Sequence, residues 1–446
     1  MFRVPGEAVD LRLPKAYTLP VGWQAYALFC LIPLWWVLGA SFVMWPLITA
    51  PLMVALLYRG QVRAPLRFGI WLLFMLWVVA SGVELSAGSR ALAWAWRLSF
   101  YVSGAVLLLY IVNTPERRLP TRSIVNALAG FWVAVVAGGW AGVAFPGINF
   151  ASPIEKLLPH SLAENQYVYA HVHLQFAEIQ HFLGFPIGRP ETFFAYTNAW
   201  GSAFAILTPF AVCALTQARS LAWKMVLRCS MAAAIVPVVF SLNRGLWLSL
   251  GVGLAYAMFR FWARGDFRQA AKVILAFAAI GAVLVVSPLG NLAQSRFQHK
   301  TGDTGRIARD IGAQERIGDS PILGFGAPLQ QANDPSHPQS GLGTESEVFL
   351  LVFSHGVPGL ALFLVWMFYT LFRSAWWRSP WGFWAHVTIL IACVQFPYYD
   401  VTERIPIIMV AAAIAYREIS RSDTPPVVPR RARRVRPVMR RGLARV

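Results

Sequence analysis

Long apolar segments recur along almost the whole chain, divided by short loops that carry arginine. Few folds accommodate that pattern. Segments near 23–41, 43–58, 66–84, 92–113, 124–145, 193–216, 224–241, 245–262, 270–288, 350–372, 381–398 and 404–417 are apolar. Their lengths approach the ~20 residues that a helix needs to cross the hydrocarbon core of a bilayer. Composition agrees: of 446 residues 57% are hydrophobic and only 13% charged, about half the usual charged share. A soluble chain of this length needs far more polar surface. The pattern predicts an all-α fold, a polytopic transmembrane helical bundle of about twelve spans.

The formal net charge is +19. In a soluble protein that excess points to nucleic acid. Here much of it lies in short loops and in the final run RRARRVRPVMRRGLARV, so no nucleic-acid partner is expected. Anionic lipid headgroups are the natural partner of such a tail. The four cysteines, Cys30, Cys213, Cys229 and Cys393, fall in apolar segments without CxxC spacing and indicate neither a disulfide framework nor a metal site. Residues 1–22 lack the apolar core of a cleavable signal and read as a cytoplasmic segment. Residues 23–417 read as the membrane domain, and 418–446 as a basic, disordered cytoplasmic tail.

Loop charge sets orientation. Arg59, Arg63 and Arg67 follow the second span; Arg117, Arg118 and Arg122 the fourth; Arg219, Lys224 and Arg228 the sixth; Arg260, Arg264, Arg268 and Lys272 the eighth; Arg373 and Arg378 the tenth. Basic loops stay in the cytoplasm. Both termini are therefore expected inside, and two long loops, about 146–192 and 289–349, outside. The first reads as one or two amphipathic helices along the membrane surface. The second carries most of the polar chemistry.

Several arginines then fall on the outer side, where the charge rule disfavours them. Arg189 precedes one span, Arg244 begins another, and Arg296, Arg306, Arg309 and Arg316 lie in the second loop. Arginine grips phosphate oxygens with a planar fork of donors. Arginines converging there suggest a phosphate-bearing ligand; the plainer alternative pairs each with an acid such as Glu191 or Glu345. Arg97, inside the fourth span, is expected to face the bundle interior or to reach headgroups.

Four stretches carry a resemblance. GRPETFFAYTNAWGSAFAILTPF has an arginine, an aromatic turn and an asparagine, Asn198, starting a helix of small residues. SLNRGLWLSLGVGL has Arg-Gly before a later span. GRIARDIGAQERIGDSPILGFG has an arginine-bearing helix and a turn like PLLGxG. ESEVFLLVFSHGVPGLALFL has paired glycines after the large loop. In order and spacing, over roughly 185–375, they resemble the O-antigen ligase and O-antigen polymerase superfamily of bacterial membrane glycosyltransferases. The resemblance implies a donor glycan on undecaprenyl diphosphate and a glycan or lipid acceptor. It implies inverting transfer at the outer face of the plasma membrane, with no metal and no other cofactor. Arg189 and Arg244 match the arginines that hold the diphosphate, with Arg306 added from the large loop. Asn198 and Glu347 are read as substrate-positioning residues.

The chain departs from the family at the expected base. Where the family places a histidine, alignment on the glycine pair puts Glu345, and His337 lies eight residues earlier. Either side chain can take a proton from an acceptor hydroxyl, so both stand as catalytic candidates. His171, His173 and His181 raise the question of a metal, but no carboxylate or cysteine joins them at ligand spacing. Ligase and polymerase are not distinguished by the sequence. The alternative from another class is a multi-span transporter or flippase of a lipid-linked glycan, which keeps its ionisable groups near the bilayer midplane.

Overall fold

The computed structural model describes residues 23–85, 88–163, 165–182, 185–272, 274–275, 311, 314–330, 341–342 and 346–422. Helices dominate: α1 (Trp23–Phe29), α2 (Ile32–Val37), α3 (Met44–Tyr58), α4 (Gly69–Ala80), α5 (Gly88–Asn113) and α6 (Thr121–Ala144) come first. A mixed region follows, with β1 (Asn149–Ala151), α7 (Pro153–Leu157), α8 (His160–Ala163), α9 (Gln166–Val172), β2 (His173–Gln175), β3 (Ala177–Phe182) and β4 (Phe185–Pro190). Then come α10 (Thr197–Gln217), α11 (Leu221–Ala233), α12 (Ile235–Phe240) and α13 (Arg244–Ala263). The short ribbon β5 (Leu329–Gln330) and β6 (Gly341–Leu342) precedes α14 (Glu347–Ser374), α15 (Pro380–Gln395) and α16 (Ile405–Ser422).

Among the described residues, six helical segments are long and apolar enough to cross a membrane: Arg90–Asn113, Thr121–Ala144, Thr197–Gln217, Leu221–Phe240, Arg244–Ala263 and Glu347–Ser374. Met44–Tyr58 and Gly69–Glu84 are shorter apolar helices. The first expected span is broken into α1 and α2, with Pro33 in the first turn of α2. Most of the expected span 270–288 lies outside the described residues. Buried helix starts need their free N–H groups satisfied. Ser220, Asn243, Ser346 and Ser379 each accept such a bond at the N-cap of α11, α13, α14 and α15.

Helix α16 packs along α5, α10 lies against α6 and α15, and α14 lies against α4 and α15. The loop 146–192 differs from expectation. It is not one or two amphipathic helices but three short helices and two antiparallel ribbons, β1–β2 and β3–β4. Proline explains part of this. Pro186 and Pro190 cannot continue a helix, and each holds its preceding residue in extended backbone.

Helix α14 is kinked at Gly356, whose φ of 68° and ψ of −178° are open only to glycine. Pro358 supplies no N–H and the Val357 N–H turns out of the helix, so two carbonyls near the kink, of Ser354 and Phe353, lose their helical donors. The turn SPILGFG fills the gap. Phe325 N–H donates to Phe353 O at 2.9 Å and Gly326 N–H to Ser354 O at 2.8 Å, while Val357 N–H donates to Pro321 O at 2.8 Å. A Cβ on Gly356 would overlap the carbonyl of Ile322. Arg90 of α5 holds the far side of the turn, donating to the carbonyls of Phe325 and, at 2.8 Å, Ala327. The two motifs read separately in the sequence are thus one backbone unit.

The ends of the bundle differ. One carries the ribbons and the starts of α10, α13 and α14. At the other, Arg59 donates to Asn113 O at 2.7 Å, Arg417 donates to Ile111 O at 2.8 Å and Thr114 O at 2.7 Å, and Arg260 donates to Ala375 O at 3.3 Å.

Candidate functional site

Arg189 lies on β4, opposite Glu178 of β3. As the sequence suggested, it precedes the span: Pro190 keeps Arg189 extended, and the helix begins at Thr197. The arginine is buried. Its Nε donates to Ser241 O at 2.8 Å and its Nη1 to Gln180 Oε1 at 3.1 Å, with Glu178 Oε2 3.6 Å away. Its ion-pair partner is therefore Glu178, across the hairpin, while the neighbouring Glu191 also feels its charge. Thr197 at the start of α10 donates back to Arg189 O at 3.3 Å.

Glu191 is almost fully buried. Burial, reinforced by the nearby Glu178 carboxylate, holds its carboxyl well above the usual range, against the opposing effects of Gln175 and Arg189. Its Oε1 has no hydrogen-bond partner among the described residues.

Arg244 is the first residue of α13 and half-buried. Asn243 before it caps the helix, its Oδ1 accepting from Leu246 N–H at 3.1 Å. The same oxygen accepts from the Tyr399 hydroxyl, and Asn243 Nδ2 donates to Asn198 Oδ1 at 3.4 Å. Close approach makes this possible. A Cβ on Gly201 would lie 2.5 Å from Asn243 Nδ2, and one on Gly245 would lie 2.6 Å from the Tyr399 hydroxyl. Leu242 takes a positive φ of 50° to bring the Arg189-bound carbonyl of Ser241 and the cap of Asn243 into adjacent positions. Arg189, Asn198 and the start of α13 are thereby brought together.

Glu347 opens α14 and is fully buried. Its Oε2 accepts from Val401 N–H at 2.8 Å and from the Thr402 hydroxyl at 3.3 Å, and its own N–H donates to Tyr399 O at 2.8 Å. This pins the turn 398–402, so Glu347 holds Tyr399 against Asn243. Behind that contact runs a buried polar chain. Ser202 donates to Gln395 Oε1 at 2.6 Å, Gln395 to Ser249 Oγ at 3.1 Å, and Ser249 meets the Tyr398 hydroxyl at 2.9 Å.

Glu345, His337 and Arg306 lie outside the described residues, as do Arg296 and Arg309. Arg316 is exposed. His171 and His173 do not share a site: His171 Nε2 is 2.9 Å from Glu403 and His173 Nδ1 is 3.2 Å from Glu155. Among the described residues no group of three His, Cys, Asp or Glu side chains gathers as metal ligands do. Arg97 of α5 is buried and donates to Ala93 O at 3.3 Å. Sequence reasoning missed Tyr399, Gln395 and Glu178. Their role is tertiary, and only the aromatic-acidic cluster PYYD in an apolar region could have flagged the first.

Fold and site together define a helical membrane protein with a polar centre where three helix starts meet. A family model described as O-antigen ligase matches residues 229–364. The segment runs from α11 through Arg244 and the SPILGFG turn to the kinked α14, and over it the resemblance to the O-antigen ligase and polymerase superfamily holds. The match supports a glycan ligase or polymerase role. Arg189 and Asn198 lie upstream of it. No curated protein matches the chain.

Proposed function

We propose that the protein transfers a glycan from a polyprenyl-diphosphate carrier to an acceptor sugar or anchor at the outer face of the plasma membrane. In this reading the chain has about twelve spans with both termini inside, and the Arg189–Asn243 end faces outward. The acceptor hydroxyl oxygen attacks the anomeric carbon from the face opposite the leaving group. The bond to the diphosphate oxygen breaks, and the diphosphate departs with the electron pair. Arg189 and Arg244 stabilise the charge growing on that oxygen, an interaction stronger in the transition state than in the ground state. Glu345 or His337 takes the acceptor proton. The reaction as written needs no metal.

One observation carries this reading: Arg189 of one motif donates to Ser241, three residues before Arg244 of the other. Two arginines expected to grip one diphosphate thus lie beside one backbone turn. The experiment is twofold. Proteoliposomes given an undecaprenyl-diphosphate-linked glycan and acceptor should form product and release undecaprenyl diphosphate; no release would overturn the reading. In a cysteine-free background, cysteine at 165 or 330 should react with an impermeant thiol reagent in intact cells, and cysteine at 268 should not. The reverse pattern would reverse the orientation.

A further inference from the structure

Beside the Arg189–Asn243 centre lies a cleft that the transfer chemistry above does not use. Its lining combines aromatic side chains, including Trp36, Trp45, Phe100 and Phe131, with the polar side chains of His171, Gln175, Glu403 and Arg404. Two walls continue the site. Residues 193–195 link Glu191 to α10 and Asn198. Glu403 and Arg404 directly follow Thr402, which Glu347 holds. The polar part of the lining is preordered: Glu403 Oε1 lies 2.9 Å from His171 Nε2, and Glu403 Oε2 accepts from Arg404 Nη1 at 3.3 Å. Arg404 is itself buried, and its Nε has no hydrogen-bond partner among the described residues.

The chemistry of the lining selects a ligand. One carboxylate, Glu403, is paired with one guanidinium, Arg404, so the lining lacks the excess positive charge that a diphosphate requires. An acyl chain would cover the carboxylate, amide and imidazole without satisfying them, which is costly. A sugar ring meets both conditions. Its C–H faces lie on aromatic rings, and its hydroxyls exchange hydrogen bonds with a fixed carboxylate and an amide. We propose that this cleft binds an uncharged pyranose ring of the glycan substrates. The proposal rests on the transfer reading for its biological setting, while its binding chemistry stands separately.

The test uses full-length protein in nanodiscs. The probes are methyl glucopyranoside, methyl galactopyranoside and methyl N-acetylglucosaminide, with binding read by ligand-observed NMR. At least one probe should bind, and Gln175→Ala and Glu403→Gln should each weaken it at least tenfold. Arg244→Ala should leave it within twofold. Gln175 is exposed, so its variant carries the test if Glu403→Gln does not fold. Absence of binding by all three probes, or equal binding by Gln175→Ala, overturns the proposal, and binding of a single-chain lipid in their place identifies a lipid cleft instead. Steady-state transfer then separates the sources. With kcat held within threefold, a tenfold rise in KM for the donor alone assigns the ring to the donor, and a rise for the acceptor alone assigns it to the acceptor. If wild type transfers glycan and Gln175→Ala changes neither KM, the cleft proposal falls and the transfer reading stands. If wild type binds a probe but transfers nothing, the transfer reading falls and the cleft stands.

Discussion

Nε of Arg189 donates to the carbonyl oxygen of Ser241 at 2.8 Å, joining a strand of the β3–β4 hairpin to the turn before α13. That bond makes Arg189 part of the scaffold as well as a candidate ligand for phosphate. Arg244 lies half-buried at the start of α13. Arg189→Ala should therefore lower the thermal unfolding temperature, leaving Gln180 and Ser241 O without their donor at a cost of about 1–3 kcal/mol. Thermal unfolding of Arg189→Ala and wild type in the same detergent decides it; equal temperatures would remove the structural role of Arg189.

The Asn198–Asn243–Tyr399 contact depends on small residues. Gly201→Ala places a methyl group 2.5 Å from Asn243 Nδ2, so the Asn243 amide must leave its place beside Asn198 and Tyr399. Transfer should fall at least tenfold. Tyr399→Phe removes one hydrogen bond and keeps the ring, so its stability cost should be about 0.5–1.5 kcal/mol. Transfer rates and unfolding temperatures of the two variants check the order. A harmless Gly201→Ala would show that the helices do not need this approach.

Hydropathy and helix signals located much of the bundle. The expected spans 92–113, 124–145 and 245–262 fall on α5, α6 and α13 within a few residues, because long apolar runs in a bilayer have few alternatives to helix. The hairpin around Arg189 was not legible. Residues 177–182 pair with 185–190 through backbone bonds that no local apolar period announces. The kink of α14 was half legible. Gly356 and Pro358 marked a break, but only the fold shows that the SPILGFG turn supplies the missing donors. Asn243 and Tyr399, 156 residues apart, are joined by packing alone.

Glu191 gives a pH signature. Its carboxyl is held above the usual range, first by burial and then by Glu178. A folded pKa raised above the unfolded value contributes stability that is fully present below the unfolded pKa, about 4.3. That stability is lost as pH rises through the folded pKa. Glu191→Gln should therefore lose less stability than wild type between mildly acidic and neutral pH. Unfolding temperatures across that range test it, and parallel curves would contradict it.

The proton acceptor is testable by two conservative changes. Glu345→Gln should slow transfer by about 10²–10⁴-fold, the usual loss for a general base, while His337→Ala should cost much less. Glu347→Gln belongs to a different class: its side chain pins Val401 and Thr402, so its loss should appear as lowered stability. Transfer measured against pH for all three separates the roles. An active Glu345→Gln beside a dead His337→Ala would assign the base to His337.

Direct binding of purified undecaprenyl diphosphate tests, without any transfer step, whether Arg189 and Arg244 hold one diphosphate. Arg244→Ala and Arg189→Lys should each weaken binding at least tenfold, lysine failing because it lacks the bidentate fork. The deficit of Arg244→Ala should fade with added salt, which screens the half-buried charge present in wild type. Wild-type affinity in both variants, with folding intact, would contradict that reading.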